Sequence, residues 1–341
     1  WKPAEEAGFD AVVGNPPYGT IPNDQVDFFT SIFAGLSNRD IFTSFFELGL
    51  LLLKIEGNIG YIIPSSWQTG SGYLALRKTI LSNATPIIVI NLPFDTFIDA
   101  YVDTGIYILR KQKPSQHHKV MAYNFPKAII DLNDLSNLNP IEIELSDWLG
   151  DEQLRIITDQ KYLQLRRRIL GSNFLEVEEI CMSSRGVLYT QEDVSDTKLG
   201  SNYKPFFDRS FQRYETVDNP TLWILYGDNL KEKPQSPVFF ENPRVLVRRI
   251  VSRQNRLLST YDERMFISTK DVYNFFLRKS QKYDLKFLLS AFNSTLFSYL
   301  YLSQDVIATK DDFRQITLTG MRKLPIRRIA FTTPAGERER L

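Results

Sequence analysis

The apolar run Phe9-Asp10-Ala11-Val12-Val13-Gly14 runs straight into Asn15-Pro16-Pro17-Tyr18, and this junction constrains the chain more than any other feature. A short apolar run of this kind reads as a buried strand of a parallel sheet. Two consecutive prolines end it, because neither offers a backbone N–H and both fix φ near −65°. The turn therefore holds its carbonyls in set directions. Asn15 supplies an amide oxygen that can accept from a planar NH2 group, and Tyr18 a flat face for stacking. The same residues also suit an ordinary turn at a strand end. Position favours the binding reading, since open α/β sheets take ligands at the carboxyl ends of their strands.

Other apolar runs follow in α/β order. Ala11 to Gly14, Ile59 to Ile63, Ile87 to Leu92 and Ile106 to Leu109 read as strands, and Ile41 to Lys54 and Tyr73 to Leu81 as helices. This predicts a mostly parallel sheet. Asp24 to Leu36 suits either a helix or a loop beside the turn. Val120 to Phe125 and Ile141 to Leu145 are further strand patterns, and Gln160 to Leu170 is a connecting helix. From Leu175 onward short strand-like runs, including Leu222 to Tyr226, Val238 to Glu241 and Arg244 to Val251, alternate with Pro, Asn and Gly. Asp271 to Lys279, Leu285 to Asn293 and Ser294 to Leu302 read as helices, with Asp284 as an N-cap.

With 341 residues, two domains are expected. A net charge of +1 argues against a uniformly basic nucleic-acid coat and leaves room for a local basic groove. Cys181 is the only cysteine, which excludes a disulfide framework and a thiolate zinc cluster within one chain; a small core hydrophobe is its expected role. His117 and His118 are adjacent and cannot form an i, i+4 metal pair, so no metal site is expected. No apolar stretch reaches the roughly 20 residues that span a bilayer, and the sequence reads as soluble and cytoplasmic, with no membrane partner.

Phe9 to Gly19 resembles the catalytic motif of the adenine-N6 DNA methyltransferases, specifically the Taq-type and type IIG restriction-modification group. Gly57 to Trp67 is similar to that family's next core strand and exit turn, and Phe94 to Phe97 with Val102 to Leu109 to its aromatic loop and closing strand. Phe287 to Phe297 and Leu324-Pro325-Ile326 resemble segments of Taq-type specificity domains. The fold so implied is a partial Rossmann-like methyltransferase sheet over 1–125, a connector over 126–174, a mixed α+β target-recognition domain over 175–330 and a flexible tail over 331–341.

The resemblance also implies chemistry. Asn15 Oδ1 and the Pro16 carbonyl accept the two N–H bonds of adenine N6, with Pro17 and Tyr18 completing the catalytic turn. Tyr18 stacks on the base, which has been flipped out of double-stranded DNA. Phe97 is the expected second stacking ring, with Phe94 its competitor. S-adenosylmethionine is the implied donor, yet no convincing Gly-x-Gly loop joins a strand to a helix, and the chain opens on Trp1 rather than Met. We therefore read a fragment whose main cofactor loop lies upstream, with room there for a nuclease domain too, and which on its own can be an inactive DNA-binding specificity piece.

Arg244, Arg248, Arg249, Arg253 and Arg256 fall in a stretch free of acidic residues that makes a DNA-binding field suited to phosphates, although strand alternation puts Arg244 and Arg248 on one side and Arg249 with Arg253 on the other, so not all can face one groove. Arg185, Lys204, Arg209 and Arg213 are further DNA-binding candidates, and Gln212 can read an adenine edge. Arg166 to Arg168 suit a surface helix. Protein glutamine or RNA remains an alternative acceptor, because a side-chain amide or another exocyclic amine presents the same planar NH2. The long second domain favours DNA.

Overall fold

A computed structural model describes residues 7–93, 96–97, 102–125, 138–171, 173–208, 211–215, 222–233, 236–279, 283–304 and 315–328. The chain divides into two compact units, Trp1–Gln164 and Leu165–Leu341.

The first unit is built on a six-stranded sheet of order β1-β2-β4-β3-β5-β6. Its strands are β1 (Phe9–Gly14), β2 (Leu53–Pro64), β3 (Thr85–Asn91), β4 (Thr104–Arg110), β5 (Lys119–Asn124) and β6 (Ile141–Glu144). β1 pairs parallel with β2 and β3 with β5, while β4 runs antiparallel to both β2 and β3, and β6 to β5. Strands β1, β2, β3 and β5 therefore point the same way and deliver Gly14, Pro64, Asn91 and Asn124 to one edge of the sheet. β6 places part of the expected 126–174 connector inside this unit. The remainder of that stretch includes residues 126–137, which lie outside the described set, as do 331–341.

Helices α1 (Val26–Ile32), α2 (Ile41–Leu52), α3 (Leu74–Asn83), α4 (Leu145–Leu149) and α5 (Gln160–Leu170) complete it, α5 running across the boundary between the units. α2 buries Phe42, Phe46 and Leu50, spaced one turn apart on one face. Phe46 meets Tyr61 of β2 at 5.6 Å and Trp67 at 5.4 Å, and Trp67 meets Tyr107 of β4 at 5.0 Å between ring centroids. Gly49 permits this approach: a Cβ there would lie 2.4 Å from Ile59 Cδ1. The helix stops at Leu52 rather than Lys54, because β2 begins at Leu53.

β1 departs from expectation. Its burial was to be complete, yet Phe9 is 60% and Val13 83% exposed. Among the described residues the strand lies at the sheet edge and pairs only with β2; an apolar run carries no signal that separates an edge strand from a covered one.

The second unit contains β7 (Phe174–Glu176), α6 (Val177–Ile180), β8 (Cys181–Arg185), β9 (Val194–Ser195), β10 (Tyr203–Phe207), β11 (Leu222–Leu225), β12 (Arg244–Arg248), β13 (Ser259–Asp262), β14 (Ile267–Ser268) and β15 (Val272–Leu277). It ends with α7 (Leu285–Asn293), α8 (Thr295–Gln304), α9 (Leu318–Arg322) and β16 (Pro325–Arg327). One sheet has the order β14-β10-β11-β9, another β13-β12-β15-β8, and β16 pairs with β7. The structure places Asp271 to Lys279, expected as a helix, in the central strand β15. Val272, Tyr273, Asn274, Phe275 and Phe276 are all buried, so both faces are covered and the two-residue alternation that marks a half-buried strand is absent. Val238 to Glu241, expected as a strand, is a short 3-10 turn over Pro237–Phe240, capped by Ser236, whose Oγ accepts from the Val238 N–H at 3.3 Å. Asp284 caps α7 as expected, accepting from the Lys286 N–H at 2.6 Å. Cys181 is buried, and burial pushes its thiol up to about 12.

Arg244 and Asp262 form the buried ionic centre of this unit. Both side chains have zero exposure, with Nη2 and Oδ2 2.6 Å apart across the β12–β13 pair. Nη1 also donates to the Phe239 carbonyl at 2.8 Å, Nη2 donates to the Phe266 carbonyl, and the guanidinium lies 5.2 Å from the Phe240 ring centroid. Burial pulls the Arg244 pKa down to about 10, with Asp262 opposing the shift, so the arginine stays charged at neutral pH. Removing one partner strands the other charge, a loss of about 3–5 kcal/mol, whereas an apolar pair of similar volume restores much of it. In urea unfolding, Arg244→Ala should therefore lower the transition of this unit sharply and Arg244→Met with Asp262→Leu far less. Equal losses would show that the charge itself is not what is stranded.

Candidate functional site

The turn Asn15 to Tyr18 leaves the carboxyl end of β1 with Pro16 buried, Asn15 and Pro17 exposed and Tyr18 half-buried. The Tyr18 hydroxyl donates to the Ile62 carbonyl of β2 at 3.2 Å, which ties the turn to the neighbouring strand end. Burial raises the Tyr18 pKa, so the phenol keeps the proton this bond needs. The chain is then stitched to the start of α2: the Ile21 N–H donates to Arg39 C=O at 2.8 Å and the Ile41 N–H to Gly19 C=O at 2.9 Å. Asn15's amide and the Pro16 carbonyl make no hydrogen bond among the described residues.

Phe97 comes to the same place. Its ring centroid lies 6.4 Å from that of Tyr18 at an interplanar angle of 84°, an edge-to-face pair. Phe94, the competitor, lies outside the described residues.

At the ends of β2, β3 and β5 lies a part-buried amide network that sequence reasoning missed. Gln68 Nε2 donates to Asn91 Oδ1 at 2.6 Å and to the Tyr107 hydroxyl at 2.7 Å. Asn91 Nδ2 donates to Asn124 Oδ1 at 2.7 Å and Thr158 Oγ1 at 2.9 Å, and Thr158 donates to Asn124 Oδ1 at 2.9 Å. The signal available was an asparagine one residue before the end of each of two apolar strand patterns, Ile87 to Leu92 and Val120 to Phe125. On the other side of Trp67, Ser66 Oγ donates to the Tyr73 hydroxyl at 3.2 Å, and Tyr73 donates to Asp40 Oδ2. Desolvation raises the Asp40 pKa against the opposing effect of that bond. Fully buried Arg77 donates to the carbonyls of Trp67 at 2.6 Å, Gly70 at 2.9 Å and Gln153 at 2.8 Å.

In the second unit the basic candidates separate. Arg244 is withdrawn from the DNA-binding set: it is the buried partner of Asp262 and has no accessible surface. Arg248 is half-buried and donates to Phe211 C=O at 3.1 Å. Arg249 pairs with Asp271 at 3.2 Å, and Arg185 donates to Lys270 C=O at 3.2 Å with Glu232 3.9 Å away. Arg213 is exposed and holds the Asn293 carbonyl at 3.3 Å. Arg253, Lys204 and Gln212 are exposed, and Arg209 lies outside the described residues. Arg256 is anchored to Asn293 C=O at 3.3 Å and to Thr295 Oγ1.

Residues 1–97 match the Eco57I restriction-modification methylase family, and residues 204–326 match the TaqI-like C-terminal specificity domain. One segment of the chain is thus similar to restriction-modification methylases and another to TaqI-like specificity domains. A putative type II restriction enzyme and methyltransferase of Methanocaldococcus jannaschii is 34% identical to this chain over 328 residues, which is 94% of the chain and 27% of that relative. A type II methyltransferase of Geobacillus stearothermophilus, M.BstVI, is 25% identical over 185 residues, covering 48% of the chain and 33% of the relative. The chain thus spans about a third or less of the length of these relatives. Among solved structures it shares its fold with the type IIL restriction-modification enzyme MmeI in complex with DNA, at a TM-score of 0.55 and 11% identity over 90% of this chain and 45% of that one. A nuclease-deletion mutant of the type ISP enzyme LlaGI bound to a DNA substrate mimic gives a TM-score of 0.52 and 14% identity over 92% of this chain and 34% of that one.

The amide network yields a prediction of its own. Asn91→Leu removes an acceptor from Gln68 and donors from Asn124 and Thr158, so stability should fall by about 2 kcal/mol or more in urea titration. An unchanged midpoint would mean that these groups find other partners at no cost.

Proposed function

We propose that this chain is the acceptor-site and target-recognition portion of an S-adenosylmethionine-dependent DNA adenine-N6 methyltransferase within a restriction-modification enzyme. The observation that carries the reading is the meeting of Asn15 to Tyr18 with Phe97 at the strand ends, in a chain that also carries a specificity domain.

Adenine N6 is a poor nucleophile because its lone pair is delocalised into the ring. Two acceptors that take both N–H protons localise that pair and aim it. Asn15 Oδ1 and the Pro16 carbonyl are free to do so, and the prolines fix their directions without any rearrangement at the moment of reaction. Tyr18 stacks on the base while its hydroxyl stays on Ile62. A sandwiched base needs two stacking gaps of about 3.5 Å each, or roughly 7 Å between parallel rings. Tyr18 and Phe97 stand at 6.4 Å and nearly perpendicular, so Phe97 turns and withdraws slightly as the base enters. The base reaches the site by flipping, at a cost of a few kcal/mol.

S-adenosylmethionine, when bound, supplies the electrophilic methyl group. The described residues do not form its cradle. The one Gly-x-Gly between a strand and a helix, Gly70-Ser71-Gly72, is packed shut: a Cβ on Gly72 would lie 2.1 Å from Asn38 Oδ1 and one on Gly70 2.7 Å from Ser66 C=O.

Incubating the intact native protein with labelled S-adenosylmethionine and unmethylated DNA should yield N6-methyladenine. Asn15→Ala should cut the rate about a hundredfold or more with DNA affinity unchanged, the scale of losing one preorganised hydrogen bond. Tyr18→Phe, which keeps the ring, should retain most activity, and Tyr18→Ala should not. Full activity in Asn15→Ala would remove this turn from the chemistry.

A further inference from the structure

Strands β12 and β13 continue past their paired ends into a hairpin, with the Arg248 N–H donating to Leu258 C=O at 2.9 Å and the Ser252 N–H to Arg256 C=O at 3.0 Å. The tip closes tightly. The Asn255 N–H donates to Ser252 C=O at 2.9 Å, and Asn255 follows in the left-handed region at φ 57°, the geometry of a three-residue hairpin loop. The Arg256 N–H donates to Ser252 Oγ at 3.2 Å, which fixes the same corner from the side.

The root of this hairpin is bolted to helices α7 and α8. Buried Asn293 accepts from the Ser259 N–H at 2.9 Å and donates to Ser259 C=O at 3.0 Å. Buried Ser298 accepts from the Leu257 N–H at 3.1 Å, while the Arg256 guanidinium spans Asn293 C=O and Thr295 Oγ1. The tip is the opposite. Arg253 and Gln254 are exposed and make no hydrogen bond or ion pair among the described residues. No acidic residue occurs from Arg244 to Tyr261. A rigid root under an unpartnered Arg-Gln tip is the arrangement of a preorganised reader, because ordering the tip costs little at the moment of binding.

We propose that this tip enters the major groove of duplex DNA, where Arg253 reads a guanine edge and Gln254 an adenine edge. A two-stranded ribbon fits that groove, and these side chains make the bidentate pairs that distinguish bases there. Arg213, exposed beside the root and tied by one bond to Asn293 C=O, contacts phosphate and sets position rather than sequence. The assignment rests on the DNA-directed function proposed above and adds which residues select the target.

The test uses the intact native protein and a library of duplexes with a randomised central window, sequencing what is retained. Wild type should enrich one consensus. Gln254→Ala should relax one adenine position by roughly ten- to hundredfold, and Gln254→Arg should move that position toward guanine. Arg253→Ala should relax a guanine position. Arg213→Ala should weaken all sequences alike and reduce the salt slope by about 1. A consensus unchanged in both tip variants, beside a normal wild-type selection, overturns the assignment alone. A wild type that enriches no duplex, or that retains RNA instead, overturns the DNA reading and the tip assignment with it.

Discussion

The strand ends of the first unit depend on a small set of largely buried amides. Gln68, Asn91 and Asn124, with Thr158, close a hydrogen-bonded cluster under the ends of the parallel strands, joining the turn after β2, the last residue of β3, the last residue of β5 and the segment after α4. In a low-dielectric interior such a cluster is stable only when nearly every donor and acceptor is matched, so each segment is held where the others require it. Asn91 is also the point at which the chain leaves the sheet toward Phe97, and Pro64 the point at which it leaves toward Trp67. The amides thus fix the points from which the chain departs toward Phe97 and Trp67, while Tyr18 is tied separately to Ile62.

The second unit uses the same logic with charge. Arg244 and Asp262 couple β12 to β13 with no exposure of either side chain, and the hairpin between those strands is then clamped by Asn293 and Ser298. Stiffness at the base and freedom at the tip follow from where polar partners are supplied. Side chains near the root spend their donors on carbonyls within the protein, whereas Arg253 and Gln254 at the turn make no hydrogen bond or ion pair among the described residues. A stretch that reads as a uniform basic patch is therefore divided into one structural arginine, several tethered ones and a single exposed Arg-Gln pair.

Much of the first unit was legible in the sequence because its strands are bounded by strong punctuation. Pro16, Pro17 and Pro64 mark exits, and the Phe42, Phe46, Leu50 spacing marks the helix. Phe97 was legible only through resemblance, since one phenylalanine in a loop has no periodicity to announce it. Other features were hidden for physical reasons. Val272 to Leu277 is buried on both faces and, Asn274 apart, apolar or aromatic, so it has no strand period, and the exposed edge of β1 has the same composition as a buried centre. Arg244 carries the charge of a phosphate ligand, and its neutralising partner Asp262 sits eighteen residues downstream, across a hairpin whose register no local pattern states. The amide network is likewise formed by residues far apart in the chain.

The central claim is that Asn15, Pro16 and Tyr18 hold a flipped adenine by its amino group. A crystal structure of the intact protein bound to duplex DNA containing its target site tests this most directly. The account predicts an extrahelical adenine stacked between Tyr18 and Phe97, with N6 within about 2.7–3.2 Å of both Asn15 Oδ1 and the Pro16 carbonyl. An adenine left stacked in the duplex, or a protein or RNA group bound at this turn in its place, would contradict it.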